Sequence, residues 1–347
     1  MRNYDVKLGI ALATLCLRQA NKHRSEFTVQ VQTDLPREYL SFPKPYKRVA
    51  RIKRLVHILA GLVLFPIYWG MAYLTHTPGL AFRGLVAVKG MRLLLRKGDL
   101  VGGYGLIVAP LDSVRYFEFD FMWRIVKKMN IRSYLDVSSP RLLPLMVAGR
   151  ADDLMVDLIN PDRNDLPATI ALASAFGVAD KCRFHGCLIE EASLKPNSFD
   201  LITSMSVIEH IPDDKGAIQK MWDLLKPGGV LMISVPCAAK ASEEYTNLND
   251  YELIDTDENG FVFWQRYYDE ELIRQRIYSI TGMPRSSRIY GEKKAGSYHS
   301  NVTQKRSDPF YPYWREPFMM GMQYEYKERL ADLTGMGVIA MEFVKPN

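Results

Sequence analysis

The sequence predicts an α/β fold with a doubly wound, mostly parallel sheet. Between residues 133 and 236, five short apolar runs alternate with segments whose apolar residues recur at helical spacing. Strands that alternate with helices in this way form parallel sheets with helices on both faces. Two further strand-like runs, at 287–292 and 337–346, bring the predicted strands to seven. A ligand is expected beyond the carboxyl ends of the strands, near the first of them.

The individual elements follow from short patterns. The five strands of the alternating region are predicted at 133–137, 154–159, 182–187, 199–207 and 230–236. The helices between and before them are predicted at 113–129, 140–149, 168–177 and 215–229. The segment 258–277 should end in a helix, because acids at its start suit the helix dipole.

The composition is that of a folded protein without a disulfide framework. Of 347 residues, 48% are hydrophobic and 24% are charged, which is ordinary for a globular chain. The cysteines show no CxxC spacing, which argues against a zinc site and fits a reducing, cytoplasmic compartment. The six histidines contain no HxxxH pair, so we expect no metal site. The four cysteines are Cys16, Cys182, Cys187 and Cys237.

The sequence divides into an N-terminal extension, 1–112, whose patterns do not indicate one kind of structure, and the α/β domain, 113–347. Up to Arg54 there are 12 Lys and Arg against 4 Asp and Glu, so the rest of the chain is slightly acidic although the total charge is +6. The basic excess is concentrated in 44–54, directly before the uncharged run 55–82. The glycine-rich segment 101–106 is interpreted as a turn.

The uncharged run has three interpretations. Its length suffices to span a bilayer, and basic residues beside a span are typical of the cytoplasmic side. Pro66 and the interspersed glycines favour a membrane-surface or re-entrant anchor instead. The third interpretation is a buried helical hairpin or an oligomer interface, which makes a homodimer a candidate. Basic charge beside apolar residues suits anionic lipid at the inner face of a membrane better than nucleic acid, for which no motif appears.

Three motifs in a fixed order carry a family resemblance. The segment "FDLITSMSVIEHIPD" (199–213), followed after a helix by "LLKPGGVLMISVP" (224–236), resembles the fourth and fifth strands of class I S-adenosylmethionine (SAM)-dependent methyltransferases. The Phe-Asp, Glu-His and Lys-Pro-Gly-Gly elements are weak singly and strong together. The resemblance covers 114–236 well and 262–345 more loosely. It implies a seven-stranded Rossmann-like methyltransferase fold with SAM as cofactor.

The resemblance places cofactor contacts at the strand ends. Asp136 would order the first turn and help hold the methionine end of SAM. Asp157 would accept hydrogen bonds from both ribose hydroxyls. Its alternative role is that of a helix cap or turn residue, and Asp162 is the competing candidate for the ribose. Arg115 would pair with the SAM carboxylate unless it is an ordinary structural arginine. The remaining predicted contacts are Val137, Ser138, Ser139, Leu158, Ser204 and Glu209.

The first turn departs from the family pattern. In "DVSSPRL" (136–142), Ser138, Pro140 and Leu142 stand where alternate glycines are expected. Ser139 can cap the following helix and Pro140 can occupy its first position. The turn can therefore form without glycine, with the loss of close backbone approach and of any positive φ. SAM carries no pyrophosphate and needs that approach less than a dinucleotide does, so we expect SAM binding to be retained.

The acid that in this family follows the third strand and contacts the adenine amino group is not evident. Cys187 or Leu188 occupies its place, with Glu190 and Glu191 slightly downstream. A cysteine is a weak hydrogen-bond acceptor. Two alternatives stay open: backbone and apolar contacts hold the adenine, or a glutamate reaches back to it.

His210, after the fourth strand, is a candidate general base, because an unperturbed imidazole titrates near neutrality. Its alternative role is to orient the loop. The insertion 293–330 contributes Tyr298 and His299 as further catalytic candidates. Its aromatic side chains could build a lid or acceptor pocket, or pack on the sheet or a second subunit. They belong to Tyr298, His299, Phe310, Tyr311, Tyr313, Trp314 and Phe318.

Together these features predict a SAM-dependent methyltransferase with a small-molecule or lipid-like acceptor and an O or N nucleophile. Such an enzyme chiefly aligns acceptor and methyl group and removes a proton, so it needs no metal. A second hypothesis is a non-catalytic scaffold or partner protein, suggested by the glycine-less turn and the missing adenine acid. A third is a membrane-tethered enzyme of lipid or quinone metabolism, suggested by 44–82.

Overall fold

The structure, a computed structural model, describes residues 35–43, 51–249 and 253–347. Cys16 and residues 44–50 of the basic segment lie outside these ranges. The strands of the described residues are β1 (Arg37–Leu40), β2 (Ser133–Val137), β3 (Met155–Ile159), β4 (Cys182–His185), β5 (Phe199–Met205), β6 (Leu225–Cys237), β7 (Ser242–Thr246), β8 (Val262–Tyr267), β9 (Ser286–Glu292), β10 (Tyr324–Lys327) and β11 (Gly337–Val344).

Eight of these strands form one sheet in the order β10-β9-β11-β6-β5-β2-β3-β4. The five strands from β4 to β6 pair in parallel, and β11, β9 and β10 are each antiparallel to their neighbours. The predicted doubly wound, mostly parallel sheet of seven strands is therefore confirmed, and β10 adds an eighth. Val137 pairs with Ile159, so the loops after β2 and β3 start at the same edge.

Helices cover both faces of the sheet, which explains why its central strands are continuous apolar runs rather than alternating ones. On β2, Tyr134 joins one buried apolar cluster and Leu135 joins another. The helices of the described residues are α1 (Arg51–Leu74), α2 (Leu80–Lys97), α3 (Leu100–Val108), α4 (Arg115–Val126), α5 (Leu142–Ala148), α6 (Asp165–Phe176), α7 (Asp214–Leu224), α8 (Glu270–Ile273), the π turn Arg274–Tyr278, α9 (Ser279–Thr281), α10 (Ser297–Ser307) and α11 (Glu316–Gln323).

The helix predicted at 215–229 ends earlier, at Leu224, and β6 begins at Leu225. Pro227 restricts the residue before it to extended conformations and cannot continue a helix, so the chain must leave the helix before the Pro-Gly-Gly. Gly228 then adopts a φ of 74° and its N–H donates to the carbonyl of Lys345, 2.8 Å away. The segment 258–277 ends in a helix as predicted, but it also contains β8, which pairs with β7 in a second sheet of order β1-β7-β8.

The predicted turn at 101–106 is wrong, because these residues lie within α3. Asp99 caps this helix by accepting a hydrogen bond from the N–H of Gly102 at 2.9 Å. The glycines allow close helix packing rather than a turn: a Cβ added to Gly103 would lie 3.1 Å from the carbonyl oxygen of Gly90 on α2. Glycine signals both a turn and a close approach, and the sequence alone does not separate the two.

The uncharged run 55–82 folds as most of α1 and the start of α2, a helical hairpin whose α1 continues through Pro66. The hairpin was one predicted form, but burial was not confirmed. Only 11% of the most apolar window of α1 is buried. By length and composition alone, α1 could cross a bilayer.

The insertion 293–330 packs against α1. The ring of His57 lies 4.4 Å from that of Trp314, and Tyr68 lies 6.0 Å from Phe318, measured between centroids. Lys305 of α10 anchors the insertion to Asp112 at 3.2 Å and also contacts Glu316 within the insertion at 3.2 Å. The structure therefore favours the packed elaboration over the lid that the sequence left open.

Candidate functional site

A cavity of about 1840 Å³ opens at the carboxyl ends of β2 to β5. Residues from the loop after each strand line it, within 137–142, 160–165, 186–191 and 206–213. Residues of α3 and residues within 245–249 and 253–264 line it as well. The cavity lies where ligands of doubly wound sheets bind, as the sequence predicts.

The turn after β2 contains a residue in the left-handed conformation although it has no glycine. Ser138 adopts a φ of 53°, a region that residues other than glycine rarely occupy. Its N–H and its hydroxyl both donate to the carbonyl of Ile159, at 2.8 and 3.1 Å. Two hydrogen bonds therefore hold this conformation, and the prediction that no positive φ remains is wrong.

Ser139 does not cap the next helix. Its hydroxyl accepts a hydrogen bond from the N–H of Met205 at 2.9 Å, which links the turn after β2 to the end of β5. The helix starts at Leu142, so Pro140 lies before its first position. The predicted capping by Ser139 is wrong because the neighbouring strand competes for the same hydroxyl.

Asp136 orders the turn from beneath. Its carboxylate accepts hydrogen bonds from the Ser139 N–H at 3.1 Å, the Thr203 hydroxyl at 2.6 Å and the Tyr134 hydroxyl at 3.3 Å. Burial raises the pKa of Asp136 to about 6 in spite of these donors. The side chain is 2% exposed and does not line the cavity, so its predicted contact with a ligand would be made through the turn that it holds.

Asp157 lies within β3, too far before the end of the strand to reach the cavity. Its carboxylate is buried and contacts His185 at 2.8 Å and Arg183 at 3.0 Å, both on β4. Asp162, the competing candidate for the ribose, does line the cavity, beside Asn160. Asp162 Oδ1 accepts from the N–H of Asn164 at 2.7 Å, which fixes the loop. Of the two candidates for the ribose contact, Asp162 therefore lies on the cavity wall and Asp157 does not.

The loop after β4 lines the cavity from Gly186 to Glu191. Leu188 exposes an apolar side chain there, and its N–H donates to Glu191 Oε2 at 3.1 Å. Burial raises the pKa of Glu190. Apolar, backbone and carboxylate groups all reach this wall, so both alternatives for the adenine position remain open.

Arg115 lines the cavity next to a buried polar network. Its Nη1 donates to Glu118 at 2.9 Å and to the carbonyl of Met205 at 3.3 Å. Glu118 also accepts from the hydroxyls of Ser206 and Ser234, the latter at 2.6 Å. Burial opposes the charge of Arg115, but Glu118, Glu209 and Asp112 outweigh it and raise its pKa.

Glu118 is a central residue that the sequence analysis missed. It sits on α4 three residues after Arg115, in a segment interpreted only as an apolar helix. An acid on the buried face of an apolar helix, one turn from an arginine, was the available signal. Ser206 was missed too: like Ser138 it has a positive φ, 46°, at the end of its strand.

Glu209 and His210 follow β5. Burial raises the pKa of Glu209 to about 8, and within the described residues its Oε2 has no hydrogen-bond partner. His210 lines the cavity, and its Nδ1 donates to the carbonyl of Trp264. Burial lowers the pKa of His210 to about 4, so the ring is neutral near pH 7. Its Nε2, 3.9 Å from Glu209 Oε1, then carries the lone pair.

Besides Asp136, Asp157 and Glu209, four more predicted site residues lie away from the cavity wall. Leu158 and Ser204 are buried within their strands, where side chains of adjacent residues alternate between faces. His299 contacts Glu244 of β7 at 2.5 Å, and this hydrogen bond raises its pKa. Burial is the main cause of the raised pKa of Tyr298; the charges of Glu244 and Glu209 raise this pKa further, and Arg115 lowers it. The predicted residues that do line the cavity are Arg115, Val137, Ser138, Ser139 and His210.

Comparisons with known proteins agree with this geometry. Residues 159–233 match a family model described as a methyltransferase domain. The ubiquinone biosynthesis O-methyltransferase of Colwellia psychrerythraea is 32% identical over 74 residues, 21% of this chain and 30% of that protein. Phosphoethanolamine N-methyltransferase 3 of Arabidopsis thaliana is 21% identical over 182 residues, 51% of this chain and 37% of that protein. The chain thus spans about a third of the length of the curated relatives it matches.

Among solved structures, geranyl diphosphate C-methyltransferase from Streptomyces coelicolor aligns with a TM-score of 0.39 at 8% identity, covering 62% of this chain and 69% of that one. Similarity at this level does not bear on function. The family match and the order of the motifs nevertheless agree with the doubly wound, mostly parallel sheet. The chain carries a domain of the class I S-adenosylmethionine-dependent methyltransferase family.

Proposed function

We propose that this chain transfers a methyl group from SAM to an oxygen or nitrogen of a small-molecule or lipid-like acceptor. The observation that carries the proposal is the turn after β2. Ser138 keeps a left-handed conformation without glycine, and Asp136 and Ser139 fix the turn against β5. We would not expect a loop that had lost its function to keep a strained residue whose conformation is held by hydrogen bonds of Asp136, Ser138 and Ser139.

The cavity residues fit SAM along its length. Asp162 and Asn160 supply oxygens for the ribose hydroxyls, and Leu188 supplies an apolar surface for the adenine. At the methionine end, the guanidinium of Arg115 has five N–H donors. The two contacts described above both come from Nη1, so Nε and Nη2 can donate to the SAM carboxylate. The buried Oε2 of Glu209 is an acceptor that an ammonium group could satisfy.

The cavity has room for a second ligand. Its volume of about 1840 Å³ exceeds the roughly 300–1,000 Å³ typical of a site for one small molecule. The cofactor positions described above use the strand-end loops. The walls from α3 and from residues within 245–249 and 253–264 are thus left for the acceptor.

SAM, when bound, supplies an electrophilic methyl group on a sulfonium. The chain's own residues then have to orient an acceptor and receive its proton. His210 suits this role, because Nδ1 donates to Trp264 and Nε2 can accept a hydrogen bond from an acceptor hydroxyl or amine. Its low pKa makes it a weak base, so we propose that it takes the proton late, when methylation has made the acceptor O–H or N–H strongly acidic.

The relatives support the choice of nucleophile. One is an O-methyltransferase and the other an N-methyltransferase. Methyl transfer to either nucleophile needs a group that receives the displaced proton. Oxygen and nitrogen acceptors are therefore the two classes to test.

A labelled-methyl assay tests the proposal. The full chain is incubated with methyl-labelled SAM and, separately, with phenols, amino alcohols, a lipid extract and a water-soluble cell extract. We expect label in at least one class and a decrease of kcat by roughly 100-fold in His210→Ala. His299→Gln, which changes a histidine outside the cavity wall, should keep kcat within about threefold. No transfer to any class by a protein that binds SAM would favour the scaffold hypothesis.

A further inference from the structure

The outer face of α1 is apolar along its whole length. Its exposed residues recur at intervals of three and four, so they form one continuous stripe. From Leu55 onward this stripe contains no charged side chain. A surface helix of a soluble domain normally has the opposite pattern, with its polar face outward. The exposed apolar residues of α1 are Ile52, Leu55, Val56, Leu59, Leu62, Val63, Ile67, Tyr73 and Leu74.

The apolar surface continues onto α2 and α3. On α2 the exposed apolar residues are Leu85, Val88, Met91 and Leu95, and on α3 they are Leu100 and Val101. Isolated apolar residues are normal on protein surfaces, but a set this large on adjacent helices marks an interaction site. We call this set, with the exposed residues of α1, the apolar face.

The charges around the apolar face are predominantly positive. Residues 51–101 contain eight Lys and Arg, of which Arg83 is buried, and one acid, the exposed Asp99. Arg51, Lys53 and Arg54 are exposed at the start of α1, and Arg92 and Arg96 are exposed near the end of α2. An isologous dimer through this face would bring together two surfaces of the same net positive charge. Anionic lipid headgroups have the complementary charge.

α1 lies flat on the domain rather than projecting from it. His57 near its start contacts Trp314, and Tyr68 in its second half contacts Phe318. Just beyond its end, the Thr77 hydroxyl donates to the carbonyl of Pro317 at 2.7 Å. A helix held along one side over about 36 Å cannot span a bilayer in this arrangement. It can present its other side to a membrane surface.

The cavity opens beside this face. Val101 is 80% exposed as part of the apolar face and also lines the cavity, as do Gly102, Gly105 and Leu106 of the same helix. The wall that we assign to the acceptor therefore borders the apolar face directly. An acceptor dissolved in a membrane could enter without crossing water.

We propose that the apolar face binds the surface of an anionic phospholipid bilayer, with α1 lying in the headgroup region, and that the acceptor is an amphiphile taken from that bilayer. The second half rests on the proposed methyltransferase function, and the first half does not. In-plane binding of this kind combines apolar burial with attraction between basic side chains and anionic lipid.

Vesicle flotation of the full chain tests membrane binding. We expect binding to vesicles of 70% phosphatidylcholine and 30% phosphatidylglycerol, weaker binding to phosphatidylcholine alone, and loss of the difference at high salt. Val63→Glu, on the apolar face, should reduce the partition coefficient by about tenfold or more. The matched control is Met283→Glu, which changes a similarly exposed residue, 76% against 66%, in the turn before β9. No binding to either vesicle, or equal binding by both variants, would overturn the proposal.

Two further measurements separate the alternatives. Light scattering during gel filtration should give a monomer in the absence of vesicles. A dimer that Val63→Glu dissociates would identify a second copy as the occupant and overturn the bilayer assignment. SAM titration without vesicles reports the cofactor site alone. Intact SAM binding with label transfer only to water-soluble acceptors would overturn the amphiphile half and leave the methyltransferase proposal standing.

Discussion

The strand-end turns and the apolar face break local rules of folding in different ways. At the strand ends, Ser138 and Ser206 hold left-handed conformations and two buried carboxyls, of Asp136 and Glu209, have raised pKa values. The apolar face breaks the rule that surface helices turn apolar residues inward. Such departures are expected at functional sites and are rare elsewhere. The strand-end departures at Ser138 and Asp136 are stabilised by contacts within the domain, whereas we propose that a partner outside the domain covers the apolar face.

Asp136→Ala should have the largest effect on the strand-end side of this comparison. It would leave the Ser139 N–H and one of the Tyr134 and Thr203 hydroxyls without an acceptor in a buried site, since these two hydroxyls can bond each other at 2.7 Å. We expect the free energy of unfolding to fall by about 3 kcal/mol or more, measured by urea denaturation. Thr203→Val removes one donor and should cost about 1 kcal/mol. Equal effects of the two variants would show that the carboxylate does not organise the turn.

Glu209→Gln should change how stability depends on pH. The pKa of Glu209 is raised from 4.5 to about 8, so the folded state binds more protons than the unfolded state between these values. Its contribution to stability is therefore full below pH 4.5 and is lost as the pH rises towards 8. Relative to Glu209→Gln, the unmodified protein should lose roughly 1 kcal/mol per pH unit in this window. Parallel stability curves for the two proteins would contradict the burial of this carboxyl.

Asp162→Asn and Asp157→Asn sharpen the assignment of the ribose contact. Asp162 lines the cavity, so its change should raise the Kd for SAM by about tenfold, measured by calorimetry. Asp157 contacts only Arg183 and His185 among the groups described here, so its change should alter the Kd by less than about threefold and lower stability by roughly 1 kcal/mol. The reverse ranking would restore Asp157 to the ribose.

Ser138→Gly should have the smallest effect. Glycine relieves the left-handed strain but loses the hydroxyl contact with Ile159 and adds freedom to the unfolded chain. We expect a change in stability within about 1 kcal/mol and unchanged SAM binding. Ser138→Val introduces a β-branched side chain that disfavours a positive φ, so it should be clearly destabilising. Tolerance of valine by unfolding and by SAM titration would show that the turn is not under strain.

The fold was predictable because its signals are local. Apolar runs of strand length, the Pro-Gly-Gly stop and the resemblance at 199–236 together predicted a doubly wound, mostly parallel sheet, which the structure has. The site was predictable only in part, since it depends on where a strand ends. A shift of a few residues along β3 moves the acid at the cavity from Asp157 to Asp162.

Other features depend on contacts distant in sequence and could not be predicted. Ser139 accepts a hydrogen bond from Met205, and Glu118 accepts hydrogen bonds from Ser206, just after β5, and from Ser234 of β6. The apolar face was visible as composition in 55–82, but only the structure shows which side of α1 the insertion covers. The same limit explains α3, whose glycines serve helix packing.

Calorimetric titration of the full chain with SAM and with S-adenosylhomocysteine tests the central claim most directly, namely that a glycine-less turn forms a working cofactor site. We predict micromolar affinity for both ligands, weakened in Asp162→Asn. No heat of binding at millimolar ligand, from protein whose fold is confirmed by circular dichroism, would contradict the claim and leave the domain as a scaffold.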